Sequence, residues 1–234
     1  MRALRSGALC LLLLCGALPC DAQENGLRPR LVQEGWFSVG AQLRPFKNTS
    51  RVAEPKFNKR FRLATEAGYR SDENLSGGKQ VFWDLSVRYK FTDYLRVVAE
   101  HRFSFRGAER SNSQRTSFQA TLRGEWNRFV GDYRMRFQHE YLDPTDVRDQ
   151  LRNRLGLTYD IRKWKLDPEV SAEFFTWFGY LGARLIGTRY SVGTSWTPGK
   201  DHEIGIAVMH DREQYVNEPT YRIIYALSYS LDIN

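Results

Sequence analysis

Arginine and carboxylate side chains recur at every second position in several segments of this sequence. Between positions 80 and 105, the charged residues Asp84, Arg88, Glu100 and Arg102 are interleaved with apolar ones. Guanidinium and carboxylate groups form strong, charge-assisted hydrogen bonds with each other, and either group can attract or repel a dissolved ion. The chemistry that this spacing predicts is therefore electrostatic: ion pairing, or ion selection on an enclosed polar surface.

The polar face that these residues define continues through the rest of the chain. Opposite charges on neighbouring strands could pair and fill a narrow interior, or the excess of arginine could line a pore that prefers small anions. Both interpretations stay open at the level of sequence. The lining candidates are Arg88, Glu100, Arg102, Arg123, Glu125, Arg134, Arg136, Glu140, Arg152, Arg154, Glu173 and Arg189.

Nucleophilic catalysis would require a hydroxyl or thiol beside a histidine. The chain has four histidines, His101, His139, His202 and His210, and none is followed two residues later by serine. His101 and Ser104 are separated by an odd number of positions, so on one strand they point to opposite faces. His139 and His210 lie near strand ends on the apolar side, where a lipid-modifying enzyme could hold a rim active site. We assign no catalytic residue.

The three cysteines, Cys10, Cys15 and Cys20, all lie within the first 22 residues. No disulfide is expected in the rest of the chain, and no histidine pair has the spacing of zinc ligands. The chain also lacks a glycine-rich phosphate loop and a hydrolase elbow. The sequence therefore predicts neither a metal site nor a cofactor.

The N-terminus has the features of a secretory signal peptide. Two arginines, Arg2 and Arg5, precede an apolar stretch from Ala8 to Leu18, and a small residue, Ala22, ends a suitable cleavage site. The apolar stretch is shorter than the roughly 20 residues that a membrane-spanning helix needs. We expect a signal peptide over residues 1–22 and one exported domain over residues 23–234.

The apolar residues of the alternating segments predict strands with one greasy face. Val81, Trp83, Leu85, Val87 and Tyr89 fall at every second position, so they share one face of a strand. A repeated greasy face opposite a charged one is typical of a barrel that faces lipid outside and water inside. The predicted fold is all-β: an antiparallel up-and-down transmembrane β-barrel with a charged lumen, located in the bacterial outer membrane.

Charge and hydropathy agree with that fold. The mean hydropathy of −0.55 is low for a helical membrane protein but not for a barrel, because half of each strand faces a polar lumen. The formal net charge is +8, yet the arginines are spread over many strands rather than gathered in one patch. We therefore expect no nucleic-acid partner.

The alternation marks eleven candidate strands, an awkward number because single-chain bacterial barrels have even counts. Either Leu27 to Val32 adds a strand despite Pro29, or Gly35 to Leu43 lies outside the wall. We predict about twelve strands, with ten as the alternative.

Connections between the strands alternate in length. Short turns at 92–93, 127–128, 162–165 and 197–200 are expected on the periplasmic side, with longer loops outside. Aromatic residues cluster around these turns, as an interfacial girdle would. The members of this expected girdle are Tyr89, Phe91, Tyr94, Trp126, Phe129, Tyr159, Trp164 and Trp196.

Several motifs follow one another along the chain: Trp36, Val87-Arg88-Tyr89-Lys90-Phe91, His101-Arg102-Phe103, Leu151-Arg152-Asn153-Arg154-Leu155, Tyr159-Asp160-Ile161 and the stretch from Pro168 to Phe175. Together they resemble a bacterial family of outer-membrane β-barrels of unknown function, the domain-of-unknown-function family twenty-four ninety. The resemblance covers nearly all of the chain after the signal peptide. It implies a fold and a location but transfers no catalytic residue.

The sequence favours a structural barrel or a narrow small-solute channel. An outer-membrane lipid-modifying enzyme with a rim active site and a soluble periplasmic β-barrel binding protein remain alternatives. The expected partners are outer-membrane lipids, the barrel assembly machinery and a small anionic solute.

Overall fold

A computed structural model of the chain describes residues 28–46, 55–107, 111–141, 147–162, 166–179 and 182–233. The predicted signal peptide lies outside the described residues. Within them the chain forms a closed barrel of eleven strands with one short α-helix and one 3₁₀ helix, Glu73–Leu75. The strands are β1 Arg30–Leu43, β2 Phe61–Ser71, β3 Gly78–Lys90, β4 Leu95–Phe105, β5 Ser113–Trp126, β6 Phe129–Tyr141, β7 Val147–Tyr159, β8 Leu166–Gly179, β9 Gly182–Trp196, β10 His202–Glu213 and β11 Thr220–Ile233, and the helix is α1 Pro55–Arg60.

Strand β3 shows how the alternation builds an inside and an outside. Trp83 is 47% exposed on the outer face, whereas its neighbours Phe82 and Asp84 are 4% and 5% exposed on the inner face. Apolar side chains project outward from the other strands in the same way; examples are Val39, Phe118, Met135, Val192 and Leu227. The exterior is thus an apolar surface of the kind that soluble monomers do not carry.

The barrel closes by an unusual pairing. Each strand pairs antiparallel with the next, but β1 pairs with β11 in parallel, from Arg30 opposite Thr220 to Leu43 opposite Ile233. The predicted all-β barrel is confirmed, with eleven strands, close to the expected twelve. The parity rule assumed an antiparallel closure, and a parallel seam allows an odd count.

The N-terminal region explains the difference in strand count. Residues 30–32 of the segment proposed as an extra strand and the segment from Gly35 to Leu43 belong to one continuous strand, β1, which begins at Arg30 directly after Pro29. Proline at the start of a strand costs no ladder hydrogen bond, so β1 tolerates it there.

The two ends of the barrel differ in their connections. The expected alternation of short and long links is not general: the turn end carries 91–94, 127–128, 160–165, 197–201 and the long link 44–60 that contains α1, and the loop end carries 72–77, 106–112, 142–146, 180–181 and 214–219. Exposed aromatic residues gather outside the turn end, including Phe91, Tyr94, Trp126 and Phe129. Trp164 lies outside the described residues. None of the helical segments that the structure describes has the length and apolar character to cross a membrane.

Side chains fill the interior unevenly. Most of the buried inward residues lie in the half of the barrel next to the loop end, which we call the loop-end half; they are Val32, Glu34, Phe82, Arg102, Ser104, Ser113, Ser117, Gln138, Glu173, Phe175, Thr188 and Ile224. Gly68 helps this packing, because a Cβ atom there would lie 2.2 Å from the ring of Phe82. The absence of a side chain lets the ring cross over β2.

Candidate functional site

Glu173 is the centre of the buried charge network. Its carboxylate accepts two hydrogen bonds from Arg152, at 3.1 and 2.8 Å, and one from Arg134 at 2.8 Å. The guanidinium of Arg189 lies 3.9 Å away and donates a 2.7 Å hydrogen bond to Asp211. Glu173 is only 4% exposed, so water screens these interactions poorly.

Two further clusters occupy the opposite wall. Arg102 donates to both carboxylate oxygens of Asp84, at 2.6 and 2.5 Å, in the bidentate geometry that arginine favours. Glu100 lies 3.4 Å from Arg136 and 3.9 Å from Arg115. Positive groups therefore outnumber negative ones around Glu100.

Strand register explains why these groups meet. One row of directly opposite residues crosses six successive strands from β6 to β11, and it runs Arg134, Arg154, Glu173, Arg189, Asp211 and Arg222. Charges alternate along most of this row, which favours cross-strand pairing. Other registers place like charges opposite each other, as for Arg102 and Arg115.

The parallel seam has its own ion-pair cluster. Glu34 of β1, 1% exposed, accepts a 2.5 Å hydrogen bond from Lys79 and a 3.0 Å hydrogen bond from the Trp36 indole. Arg222 of β11 lies 3.5 Å from Glu34 and donates to Glu213 at 2.6 Å. The carboxylate of Glu34 thus links the first strand, the last strand and β3.

The turn-end half of the interior is open. It holds a cavity of about 720 Å³ whose wall includes Arg123, Glu125, Asp132 and Asp160. Arg123 and Glu125 lie 3.2 Å apart, and their side chains are 51% and 70% exposed. Exposed pairs of this kind contribute little to stability.

A second cavity, of about 450 Å³, lies at the boundary of the two halves. It shares Arg134, Arg154, Glu169, Ser195 and Glu203 with the wall of the turn-end cavity, so the two adjoin. Eight arginines but only four carboxylates line it. We call it the arginine cavity. Its arginines are Arg70, Arg102, Arg115, Arg134, Arg136, Arg152, Arg154 and Arg189.

The structure brings most of the predicted lining residues together and separates the others. Seven of them line the arginine cavity: Arg102, Arg134, Arg136, Arg152, Arg154, Glu173 and Arg189. Arg123 and Glu125 line the turn-end cavity, and Arg88 lines two smaller cavities near the turn end. Glu140 pairs with Arg106 at 2.6 Å near the loop end, and Glu100 pairs with Arg136.

Sequence reasoning missed several residues of the arginine cavity. Arg70 and Arg115 were absent from the candidates, although Arg70 lies an even number of positions after Glu66 and so shares its face. The inward aromatics Trp36 and Phe82 were missed because aromatic residues were assigned to the outer face. The guanidinium of Arg70 lies 4.0 Å above the ring of Trp36, and that of Arg102 lies 3.8 Å above Phe82. Cation–π contacts of this kind stabilise a cation that has lost hydration.

A polar row crosses the outer face near the loop end. Register places His101, Thr116, His139 and Asp149 opposite one another on β4 to β7. Nδ1 of His101 lies 3.0 Å from Oγ1 of Thr116, and Nδ1 of His139 lies 2.6 Å from Oδ1 of Asp149. His139, a predicted rim histidine, thus has an acidic partner, and His101 has a hydroxyl partner.

The other two histidines contact tyrosines. Nδ1 of His202 lies 2.7 Å from the hydroxyl of Tyr229, and the ring of His210 packs edge-on against Tyr221. Among the described residues, no group of three or more His, Cys, Asp or Glu side chains could hold a metal ion.

Comparison with known families identifies the chain's relatives. The family model for a protein of unknown function, DUF2490, matches residues 35–222. The chain belongs to the DUF2490 family. The resemblance inferred from the motifs is thereby confirmed, and the family brings no activity with it. No curated protein matches this DUF2490 chain.

Solved structures match the DUF2490 barrel in fold. A bacterial polysaccharide outer membrane secretin matches with a TM-score of 0.52 and 11% identity, over 74% of this chain and 63% of that one. The siderophore receptor PirA from Pseudomonas aeruginosa matches with a TM-score of 0.32 and 14% identity, over 69% of this chain and 33% of that one. The chain spans less than two thirds of each of these proteins. The likeness to the secretin shows a barrel fold shared with an outer-membrane protein.

Proposed function

We propose that this DUF2490 protein is a bacterial outer-membrane β-barrel with a narrow, charged lumen that admits small solutes and prefers anions. The observation that carries the proposal is the division between its two surfaces. The outer surface is apolar around the closed wall, while the inner surface holds guanidinium and carboxylate groups. A closed wall leaves no unpaired strand edge in lipid, as a membrane requires.

The degree of filling supports a narrow pathway. The turn-end half contains the 720 Å³ cavity, but the loop-end half is packed with buried side chains such as Glu34, Phe82 and Phe175. A barrel of this size lies between small filled barrels and open porins. We therefore propose a narrow channel of low conductance rather than a wide pore.

Orientation and partners follow from the same proposal. We place the turn end, with its four predicted turns, in the periplasm and the loop end outside. The exposed aromatic residues of the turn end would then contact lipid headgroups at the inner interface. In the last strand, every second side chain points outward: Tyr225, Leu227, Tyr229 and Leu231. This pattern resembles the C-terminal strand signal that the barrel assembly machinery recognises. That machinery, outer-membrane lipids and a small anionic solute are the proposed partners.

Two measurements test the proposal. Membrane fractionation should recover the protein in the outer membrane, with a folded form that runs faster on an SDS gel before heating than after. Planar-bilayer recording of purified protein should show small, anion-selective current steps. Recovery as a soluble periplasmic protein would instead favour a lipocalin-like binder, the alternative that the apolar outer surface opposes.

The polar row on the outer face favours a second candidate, a rim enzyme acting on lipid esters. His139 has the carboxylate orienter that a general base requires, and Thr116 carries a hydroxyl in the same row. Absence of any bilayer current, together with lipid hydrolysis that His139→Ala abolishes, would replace the channel by this enzyme. His202→Ala, at the turn end, is the matched control.

A further inference from the structure

The arginine cavity contains more positive charge than its own carboxylates neutralise. Eight guanidinium groups and four carboxylates line it, and three further carboxylates, Asp84, Glu100 and Asp211, pair with its arginines. Taking both groups together leaves eight positive charges against seven negative ones. Gathering surplus charge in a partly dry interior is costly unless a counter-ion is present.

Arg70 is the clearest surplus cation. No described carboxylate lies within ion-pair distance of it, and its guanidinium contacts the rings of Trp36 and Phe82 instead. Four other arginines repel its charge: Arg102, Arg115, Arg189 and Arg152. No described carboxylate beside Arg70 offsets the repulsion among these guanidinium groups.

Arg115 is a second cation with weak neutralisation. Its only described carboxylate contact is Glu100 at 3.9 Å, and Glu100 is shared with Arg136 at 3.4 Å. Register places Arg115 between Glu140, whose carboxylate accepts a 2.6 Å hydrogen bond from Arg106 instead, and Arg102, whose guanidinium is bound by Asp84. Like charges opposite each other on adjacent strands are destabilising.

The arginine cavity also has unsatisfied hydrogen-bond donors. The Nε atoms of Arg70, Arg115, Arg134 and Arg189 are buried and have no hydrogen-bond partner among the described residues. All four arginines line the same cavity. Buried donors are almost always satisfied in folded proteins, by protein, water or ligand. Four unsatisfied guanidinium donors around one cavity match the acceptor-rich surface of an oxyanion.

We infer that the arginine cavity is a binding site for a small organic oxyanion, one that presents a phosphate or carboxylate group to Arg70 and Arg115. Guanidinium forks match both groups in bidentate geometry. The volume of about 450 Å³ exceeds the needs of a bare ion and falls in the range of small-molecule sites. The inference rests on the proposed lumen, because the anion reaches the cavity from the turn-end half.

Calorimetric titration of the full-length protein in detergent tests the site, with inorganic phosphate as the probe and chloride at matched ionic strength as background. Saturable phosphate binding is expected in the wild type. Arg70→Gln and Arg115→Gln should each weaken it by about tenfold or more, the loss of one charge-assisted hydrogen bond. Arg70→Lys keeps the charge but not the fork, so it should bind with intermediate affinity.

Arg88→Gln is the matched control, since it removes one lumenal arginine outside this cavity and should leave phosphate affinity unchanged. Heat-modifiable gel mobility verifies folding, and having two glutamine variants keeps the test informative if one misfolds. Equal phosphate binding by wild type, Arg70→Gln and Arg115→Gln, or no binding above the chloride background, would overturn the site. Phosphate binding without bilayer current would overturn the proposed channel but not the proposed binding site. Bilayer current without phosphate binding would overturn the binding site but not the channel.

Discussion

The loop-end and turn-end halves of the interior are built from the same residue types but differ in burial. In the loop-end half, Glu173 and Glu34 are buried and each contacts more than one cation. In the turn-end half, Arg123 and Glu125 form an exposed pair beside the 720 Å³ cavity. The same kind of ion pair is therefore part of the packed interior where it is buried and part of a solvated surface where it is exposed.

Solvation accounts for this difference. A buried charge that loses its partner carries the full cost of desolvation, whereas an exposed charge recovers water. The loop-end half should therefore determine the stability of the barrel and the width of its narrowest part. The turn-end half should determine which solutes enter.

The largest expected effect comes from Glu173→Gln. Removing this charge leaves Arg152, Arg134 and Arg189 without their shared carboxylate, and breaking a buried pair costs about 3–5 kcal/mol. The free energy of unfolding should fall by that amount in urea titrations of protein refolded into vesicles. Glu125→Gln in the turn-end half is the control and should cost about 0–1 kcal/mol. Equal losses for the two variants would remove the distinction between the halves.

A smaller loss is expected from Glu34→Gln at the parallel seam. Lys79 and Arg222 would keep their positions but lose a charged acceptor, which costs about 1–3 kcal/mol. The temperature at which the folded gel band disappears should drop. Glu213→Gln removes the more exposed carboxylate partner of the same Arg222, so its effect should be smaller. A larger effect at Glu213 would show that Glu34 does not hold the seam.

Removing both members of the buried Asp84–Arg102 pair should mainly affect the width of the interior. Asp84→Ser with Arg102→Ser leaves no unpaired charge from that pair, so the loss of stability, which comes from the lost packing of Arg102 on Phe82, should be smaller than for Glu173→Gln or Glu34→Gln while the interior widens. Bilayer conductance should rise. The matched double variant, Arg123→Ser with Glu125→Ser, changes an already open region and should leave conductance unaltered. A rise in both would place the narrowest point in the turn-end half.

The smallest effect concerns a turn. A hydrogen bond from Lys90 and the positive charge of Lys90 lower the pKa of Asp93, which lies in the β3–β4 link. Because the folded pKa is lowered, the contribution of this pair is present above the unfolded pKa of Asp93. It is lost as pH falls through the lowered value. Titration by NMR should show a lowered pKa that Lys90→Gln returns to its ordinary value; an unchanged value in the variant would exclude the pair as the cause.

Much of the barrel could be predicted from the sequence because strand alternation is a local property. The spacing of Val81, Trp83 and Leu85 assigns their face without knowledge of any other strand. The inward positions of Arg88, Arg102 and Glu173 follow from the same rule.

Register and closure could not be predicted, because both depend on contacts between distant segments. The opposition of Arg102 to Arg115, and of Glu173 to Arg189, is set by turn lengths and by the irregularity between Phe175 and Thr176. The ring of Phe82 can cross over β2 only because Gly68 leaves room beneath it. Neither the register nor this packing is visible in one strand.

The parallel seam also has a kinetic consequence. Every hairpin of this wall can form soon after its two strands exist, but β1 must wait for β11, which lies at the other end of the chain. Contacts between such distant segments form slowly, because the whole intervening chain must be ordered first. Until then both edges remain unpaired, and an unpaired edge is open to another chain. The interval before the seam forms is therefore when this protein is most exposed to misassembly, and when a folding factor would matter most.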